Sequence, residues 1–112
     1  MTTYSRGDVV LVKFVFSDET GVKQRPALLV SSSRYHRSRH EAVLVAITSN
    51  VSRALVGDHA IKDWQEAGLP LPSTATGIIR TIKQEMIVKK LGELPAGDLQ
   101  AVDEQLRISL NL

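Results

Sequence analysis

An arginine directly before a proline, at the start of an apolar run, is the strongest candidate for chemistry in this sequence. Arg25 precedes Pro26, and the run Ala27 to Val30 follows. A residue before proline is restricted to extended backbone, so Arg25 should project in a fixed direction from the start of a strand. Its planar guanidinium carries five N–H donors and can hold two phosphate oxygens at once. The pattern predicts an anion site, and the ordinary alternative is a surface arginine in a weak ion pair.

Two hydroxyl side chains end a second apolar run. Thr48 and Ser49 follow the run from Ala42 to Ile47. Hydroxyl groups in this position can donate hydrogen bonds to a phosphate, and they are equally common as caps that form turns. The pair alone does not distinguish these roles.

Short apolar runs predict the strands that would position these groups. We expect strands at Val9 to Phe16, Ala27 to Val30, Ala42 to Ile47, Gly77 to Ile82 and Glu85 to Lys89. The first three are apolar at nearly every position, so both faces of the sheet should be covered. A curled sheet with a packed interior, and with a helix or a second subunit on its exterior, has this property. The sequence therefore predicts a mainly β, α+β fold built on a small curled β-barrel.

Helical patterns occur at two places. Asp63 to Gly68 has an N-cap residue and a C-terminal glycine, which predicts one short helical turn between strands. After Pro95, apolar residues recur every three or four positions and predict a C-terminal amphipathic helix packed on the sheet: Leu99, Val102, Leu106 and Leu110. The polar stretch from Ser31 to Glu41 has instead the composition of a solvated turn.

The bulk composition indicates a single globular domain spanning residues 1–112. Of the 112 residues, 23% are charged and 43% are apolar, and the formal net charge of +2 is a weak sign of an anionic partner. The absence of cysteine excludes disulfides and thiolate metal sites. No apolar run has the length of a signal peptide or a membrane span, so we expect a cytoplasmic protein with no membrane partner.

Two histidines raise the question of a metal. His36 and His40 are four residues apart, which on a helix would place both imidazoles on one side. The segment is polar and has no well-spaced third ligand, so we expect neither a metal site nor a cofactor. We interpret it as a solvated basic loop that contacts phosphates or an acidic partner.

In order and spacing, these segments resemble the MazF/PemK family of toxins, small endoribonucleases that cut single-stranded RNA without a metal. The likeness is carried by Arg6-Gly7-Asp8-Val9-Val10, Arg25-Pro26-Ala27, Thr48-Ser49, Gly68-Leu69-Pro70 with Ser73, and Lys90-Leu91-Gly92-Glu93-Leu94. The resemblance implies an SH3-like barrel, a symmetric homodimer with RNA across the dimer face, and cleavage to a 2′,3′-cyclic phosphate. It also implies a cognate antitoxin whose acidic tail lies in the RNA groove.

The resemblance makes Arg25 and Thr48 the catalytic residues, converging on one phosphate. When the ribose 2′-hydroxyl attacks the adjacent phosphorus, negative charge grows on the phosphate oxygens, and a pre-aimed guanidinium stabilises it. We expect further RNA contacts from a second set of residues: Asp18, Glu19, Lys23, Ser49 and Arg80. Among the few aromatic residues, Trp64, Phe16 and Tyr35 are the expected platforms for one or two bases, although packing is the more ordinary role for Trp64.

The sequence leaves open which group accepts the 2′-hydroxyl proton. Arg25 is a poor base because its guanidinium keeps its proton at neutral pH. Asp18, Glu19 and His59 are the polar alternatives.

Some family members are described with an arginine and an aspartate on a later strand that share the acid and base roles. Arg80 fits that arginine, but Ile82 stands where the aspartate would be, and another register puts Thr76 in place of the arginine.

Two other functions are compatible with the same fold. CcdB-like toxins bind DNA gyrase through a terminal helix that ends in Trp-Gly-Ile, and they cut nothing. This chain ends in Ile108-Ser109-Leu110-Asn111-Leu112 and lacks that tryptophan, which favours the nuclease. The missing aspartate after Arg80 leaves a non-cleaving homologue, acting as a binding module, as the second alternative.

Overall fold

The computed structural model describes residues 3–15 and 22–112, and these form one antiparallel sheet with two helices. The strands and helices, in chain order, are β1 (Asp8–Val15), β2 (Val22–Leu29), α1 (Ser33–Ser38), β3 (Glu41–Thr48), β4 (His59–Ala60), β5 (Thr74–Lys83), β6 (Ile87–Glu93) and α2 (Ala96–Leu110). The six strands lie in the order β4-β5-β3-β2-β1-β6. Within the described residues β4 and β6 remain edges, so the sheet is not closed. The predicted mainly β fold with a C-terminal helix is confirmed.

Apolar residues cover both faces of this sheet, as predicted. Successive residues of a strand point to opposite faces, and Val9 and Val10 accordingly belong to different cores. The helix-side cluster comprises Val9, Leu28, Val45, Ile47, Ile61, Ala67, Leu69, Ala75, Leu94 and Val102. The concave cluster comprises Val10, Val12, Ala27, Leu29, Ala42, Leu44, Ile82 and Ile87. Because five of the six strands contribute to the concave cluster, the sheet must curl around it.

The C-terminal helix α2 covers the helix-side cluster. Val102 is buried, and Leu99 and Leu106 are partly buried against the same core. The predicted apolar stripe ends at Leu106, since Leu110 is 52% exposed. The helix begins after Pro95 and ends at Asn111, which has a left-handed φ of 57°.

A short helix lies between strands, but not where the sequence pattern placed it. The stretch predicted as a solvated turn contains α1, whose N-cap Ser32 accepts a hydrogen bond from the N–H of Tyr35 at 3.1 Å. His36, on the inner side of α1, is buried. Its Nδ1 lies 2.9 Å from the carbonyl oxygen of Tyr4, and its Nε2 contacts the hydroxyl of Ser31. Through His36, α1 is thus tied to Tyr4 before β1 and to Ser31 after β2.

The predicted helical turn at Asp63–Gly68 is a series of turns with one α-type hydrogen bond, from the N–H of Ala67 to the carbonyl of Asp63 at 3.1 Å. This segment crosses β6 at very short range. A Cβ atom at Gly68 would lie 2.1 Å from the carbonyl oxygen of Leu91, and Gly68 also has a φ of +83°. Glycine is therefore needed at this crossing, which carries the chain on to Pro70 at the edge of the candidate site.

Three strands also differ from their predicted bounds. The β2 strand begins at Val22, before the predicted Ala27. The β5 strand begins at Thr74, before the predicted Gly77, and β6 begins at Ile87. Gln84–Met86 forms a 3-10 turn, so Glu85 lies outside any strand. The side-chain amide of Gln84 explains this turn, since its nitrogen donates to the carbonyls of His36 and Glu41, both at 2.9 Å.

Candidate functional site

A groove opens where β2 and β3 part, and Pro26 explains why they part there. Pairing between these strands runs from Leu29↔Leu44 to Ala27↔Ala46. Pro26 has no N–H with which to continue the ladder. Residues 22–26 stay paired with β1, where Arg25 lies opposite Val12. The proline therefore leaves the start of β2 beside the end of β3 with space between them.

Strand alternation puts Arg25 and Thr48 on the same side of the sheet. Arg25 lies opposite Val12, which belongs to the concave cluster, so both side chains point to the concave face. Thr48 lies four residues after Leu44, another member of that cluster, and therefore faces the same way. If the β2–β3 register were extended by two residues beyond Ala27↔Ala46, Arg25 would lie opposite Thr48.

The groove is a cavity of about 920 Å³ at this end of the concave face. Its walls come from β1, β2, β3, β5 and the segment after the Gly68 crossing. The lining residues are Phe14, Gln24, Arg25, Pro26, Ala46, Ile47, Thr48, Ser49, Pro70, Leu71, Ser73, Ile78 and Arg80. Four of the seven residues predicted for the site thus meet in one groove: Arg25, Thr48, Ser49 and Arg80.

The polar groups of the groove suit an anionic ligand. Arg25 is exposed, and its one hydrogen bond in the described structure is a long 3.4 Å contact from Nη1 to the carbonyl of Gln24. Thr48 accepts a hydrogen bond from the N–H of Asn50 at 3.1 Å through Oγ1, which leaves its hydroxyl proton for another acceptor. The described lining residues include two arginines and no carboxylate. Phosphate oxygens are the natural partners of such a set.

Phe14 is a groove residue that the sequence interpretation missed. The guanidinium carbon of Arg80 lies 5.6 Å from the centre of the Phe14 ring, within the range of a cation–π contact. Of the expected aromatic platforms, Trp64 packs against the helix-side cluster and Tyr35 lies under Arg39 on α1. Phe16 lies outside the described residues. The sequence feature that could have identified Phe14 as a groove residue is its position two residues after Val12, on the same face of β1.

The other predicted site residues lie elsewhere. Lys23 is exposed on β2 and does not line the groove. Asp18 and Glu19 lie outside the described residues. Thr76 is buried, where its hydroxyl donates to the carbonyl of Ala46 at 2.7 Å and accepts from the N–H of Ile78 at 3.1 Å, so it supports β5 from within.

His59, one of the candidate bases, is engaged in a structural contact. Its Nε2 lies 2.8 Å from Oδ1 of Asp98, in the first turn of α2. The two carboxylate oxygens of Asp98 also accept the N–H groups of Lys62 at 2.8 Å and Asp63 at 3.0 Å. This cluster ties the start of α2 to the segment that follows β4, and His59 does not line the groove.

Two buried carboxylates have lowered pKa values. Burial on its own raises the pKa of Asp98, but the hydrogen bonds from His59, Lys62 and Asp63 outweigh it and hold the pKa below its ordinary value. Burial likewise raises the pKa of Asp58. The ion pair with Arg53, with Nε 2.8 Å from Oδ2, and backbone N–H groups from Leu55 and Gly77 bring it below the ordinary value.

We expect the protein to lose stability in acid because of these two groups. A carboxyl whose folded pKa is lowered stabilises the fold above its unfolded pKa, near 4, and this contribution disappears as the pH falls through the folded pKa. The free energy of unfolding, measured with urea, should change little between about pH 7 and pH 5 and should decrease as the pH falls below about 4. Unchanged or greater stability at pH 3 would contradict the assignment.

Residues 3–15 and 22–112 contain no group of three histidine, aspartate or glutamate side chains placed to hold a metal ion. Both ring nitrogens of His36 have partners, so it does not pair with His40 as a ligand. None of the described helices has the length and apolar character required to traverse a bilayer.

A comparison with known protein families identifies the family of this chain. The family described as PemK-like, MazF-like toxin of type II toxin-antitoxin system matches residues 5–110. The chain belongs to this family. The match covers every strand and helix described above, including both sides of the groove.

Curated relatives within the family match over most of their length. The chain is 32% identical to endoribonuclease EndoA of Bacillus subtilis over 111 residues, which covers 96% of this chain and 94% of that protein. It is 33% identical to endoribonuclease MazF6 of Mycobacterium tuberculosis over 93 residues, covering 80% and 81% of the two chains.

Solved structures of similar fold include the MazE–MazF complex of Deinococcus radiodurans. That match has a TM-score of 0.79 at 20% identity and covers 99% of both chains. A mycobacterial endoribonuclease in complex with its cognate antitoxin matches with a TM-score of 0.78 at 20% identity, over 97% of this chain and 96% of that one. At these identities the likeness establishes the shared fold.

Proposed function

We propose that this protein is a sequence-specific endoribonuclease toxin that cuts single-stranded RNA without a metal ion. The observation that carries the proposal is the position of Arg25 and Thr48, on adjacent strands and the same face of the sheet, in one groove. The relatives named endoribonuclease EndoA and MazF6 support the same activity. The groove supplies two of the groups that such a reaction needs from a protein, a positioned cation and a hydroxyl donor for the phosphate.

The proposed reaction is an internal transfer at phosphorus. The 2′-oxygen of the ribose forms a bond to the adjacent phosphorus, and the bond from phosphorus to the 5′-oxygen of the next nucleotide breaks. The 2′-hydroxyl proton goes to a base and the departing 5′-oxygen gains a proton, so the products are a 2′,3′-cyclic phosphate and a 5′-hydroxyl. Arg25 binds the non-bridging oxygens, whose charge grows in the transition state, and Thr48 orients the phosphate by donating its hydroxyl proton.

The general acid and the general base are proposed from the sequence alone. Neither a carboxyl nor an imidazole group lines the groove within the described residues. Asp18 and Glu19, in the connection between β1 and β2, are therefore the candidates for proton transfer, since His59 is held by Asp98 away from the groove.

We further propose a homodimer and a cognate antitoxin as partners, in the cytoplasm. A groove with two arginines and no described carboxylate would bind an acidic peptide as readily as RNA. The Deinococcus radiodurans relative was crystallised as a MazE–MazF complex, which supports a protein partner of this kind. Occupation of the groove by the acidic tail would exclude RNA and so silence the nuclease.

A cleavage assay in the presence of a chelator tests the function. We expect the purified protein to cut a long single-stranded RNA at one short preferred sequence, with the same rate in EDTA as in magnesium. Cleavage that EDTA abolishes and magnesium restores would contradict the metal-free mechanism. Complete absence of cutting, combined with inhibition of DNA gyrase, would support the gyrase-binding alternative instead.

A further inference from the structure

We propose that the Arg80–Phe14 pair is a stacking platform for one unpaired base of the RNA, next to the phosphate site. The inference rests on the proposed function, because it assigns a subsite within the same groove. Arg80 thereby acquires a different role from a plain phosphate contact, and Phe14 acquires a role that the sequence interpretation did not give it.

The pair is formed across the groove rather than along one strand. Arg80 lies on β5 and Phe14 on β1, with β3 and β2 between them in the sheet. Three strand-to-strand steps of about 4.8 Å would separate them by roughly 14 Å on a flat sheet. The observed 5.6 Å between the guanidinium carbon and the ring centre therefore depends on the curl of the sheet and on the length of both side chains.

Phe14 and Arg80 each have one side next to the concave cluster and another side open to the groove. Phe14 is half-buried and packs against the concave cluster. Arg80 lies opposite Leu44, a buried member of that cluster, but is itself exposed and lines the groove. Within residues 3–15 and 22–112, Arg80 makes no ion pair, so its plane is held by the ring and not by a carboxylate.

This geometry fits a base better than a second phosphate. A guanidinium that lies over an aromatic ring keeps one flat face for another planar group, and unpaired RNA bases stack on arginine planes and aromatic rings. The nearby wall is apolar and suits the body of a base: Pro26, Ala46, Leu71 and Ile78. A phosphate at this position would lose hydration against these groups without gaining a further hydrogen-bond donor from them.

Binding of two uncleavable hexanucleotides tests the proposal. Both carry 2′-O-methyl sugars and the same phosphates. One has bases of randomised sequence, and the other is abasic at every position. For the unmodified protein we expect the base-containing oligomer to bind roughly 10-fold more tightly, which is within the range for stacking of a base on protein side chains.

Two substitutions should remove this preference. Phe14→Leu keeps the apolar contact with the concave cluster but removes the ring, and Arg80→Lys keeps the charge but removes the plane. Each should lower the affinity ratio of the two oligomers by several-fold, through weaker binding of the base-containing oligomer, while binding of the abasic oligomer stays nearly unchanged. Arg107→Lys on α2, which covers the opposite face of the sheet, is the matched control and should keep the ratio.

Several results would overturn the platform. One such result is equal binding of the two oligomers by the wild-type protein. Another is an unchanged affinity ratio in the two variants. A third is an Arg80→Lys variant that binds both oligomers more weakly by the same factor. Thermal unfolding identifies a variant that is not folded, and in that case Phe14→Met replaces Phe14→Leu. The proposed nuclease activity is tested separately, since a protein that cuts no RNA but keeps the preference would refute the nuclease and not the platform.

Discussion

Replacement of Arg25 by alanine is expected to lower the rate of RNA cleavage by roughly a hundredfold to a thousandfold, the usual cost of one charge-stabilising donor in a transition state. Arg25 is exposed and contributes nothing to either apolar cluster, so the free energy of unfolding should stay within about 0.5 kcal/mol of the wild type. The cleavage rate should be measured under single-turnover conditions, where substrate binding and product release do not limit it.

Two controls separate the role of Arg25 from a general loss of positive charge. Arg25→Lys keeps the charge but loses the two-pronged donor, so its rate should lie between those of the wild type and the alanine variant. Arg107→Ala removes an exposed arginine from α2, outside the groove, and should leave the rate unchanged. Wild-type cleavage by Arg25→Ala would remove this residue from the mechanism.

Replacement of Asp98 by alanine is expected to cost roughly 3–5 kcal/mol of folding free energy, as is typical when one partner of a buried charged cluster is removed. The N–H groups of Lys62 and Asp63 and the ring of His59 would all lose their acceptor. Because these groups lie between α2 and the segment after β4, both would loosen together. Urea unfolding at pH 7, compared with the wild type, gives the difference directly.

Asp103→Ala on the same helix is the matched control for Asp98. Asp103 pairs with Arg6, but both side chains are 34% exposed, so the loss should be about 1 kcal/mol or less. Equal losses for the two variants would show that Asp98 does not have the structural role assigned to it.

Parts of the fold and of the groove were predictable because short-range patterns determine them. Short apolar runs marked the positions of β1, β3 and the second half of β2, and apolar character on both faces correctly predicted two cores. The Arg25-Pro26 pair predicted an extended backbone, and the missing N–H of Pro26 is also what separates β2 from β3. That Arg25 and Thr48 share one face then follows from strand alternation, once β2 and β3 are known to be neighbours.

What sequence patterns missed depends on contacts between distant residues. Helix α1 has only one buried side chain, His36, and this polar residue is held by Ser31 and Tyr4 rather than by apolar packing. The Asp63–Gly68 segment carries helix-cap residues, but its course is set by close approach to β6. The Arg80–Phe14 contact joins strands that are not neighbours, so only the curl of the sheet reveals it.

The chemistry of the cleavage products tests the central claim most directly. A short RNA that spans the mapped cut site is compared with the same RNA carrying one 2′-deoxyribose on the 5′ side of the scissile bond, and the products are weighed by mass spectrometry. We predict a 2′,3′-cyclic phosphate and a 5′-hydroxyl from the first RNA, with Arg25→Ala forming them far more slowly, and no cleavage of the second RNA. Cutting of the deoxyribose-containing RNA, or a product with a 5′-phosphate, would contradict attack by the 2′-hydroxyl at the Arg25–Thr48 site.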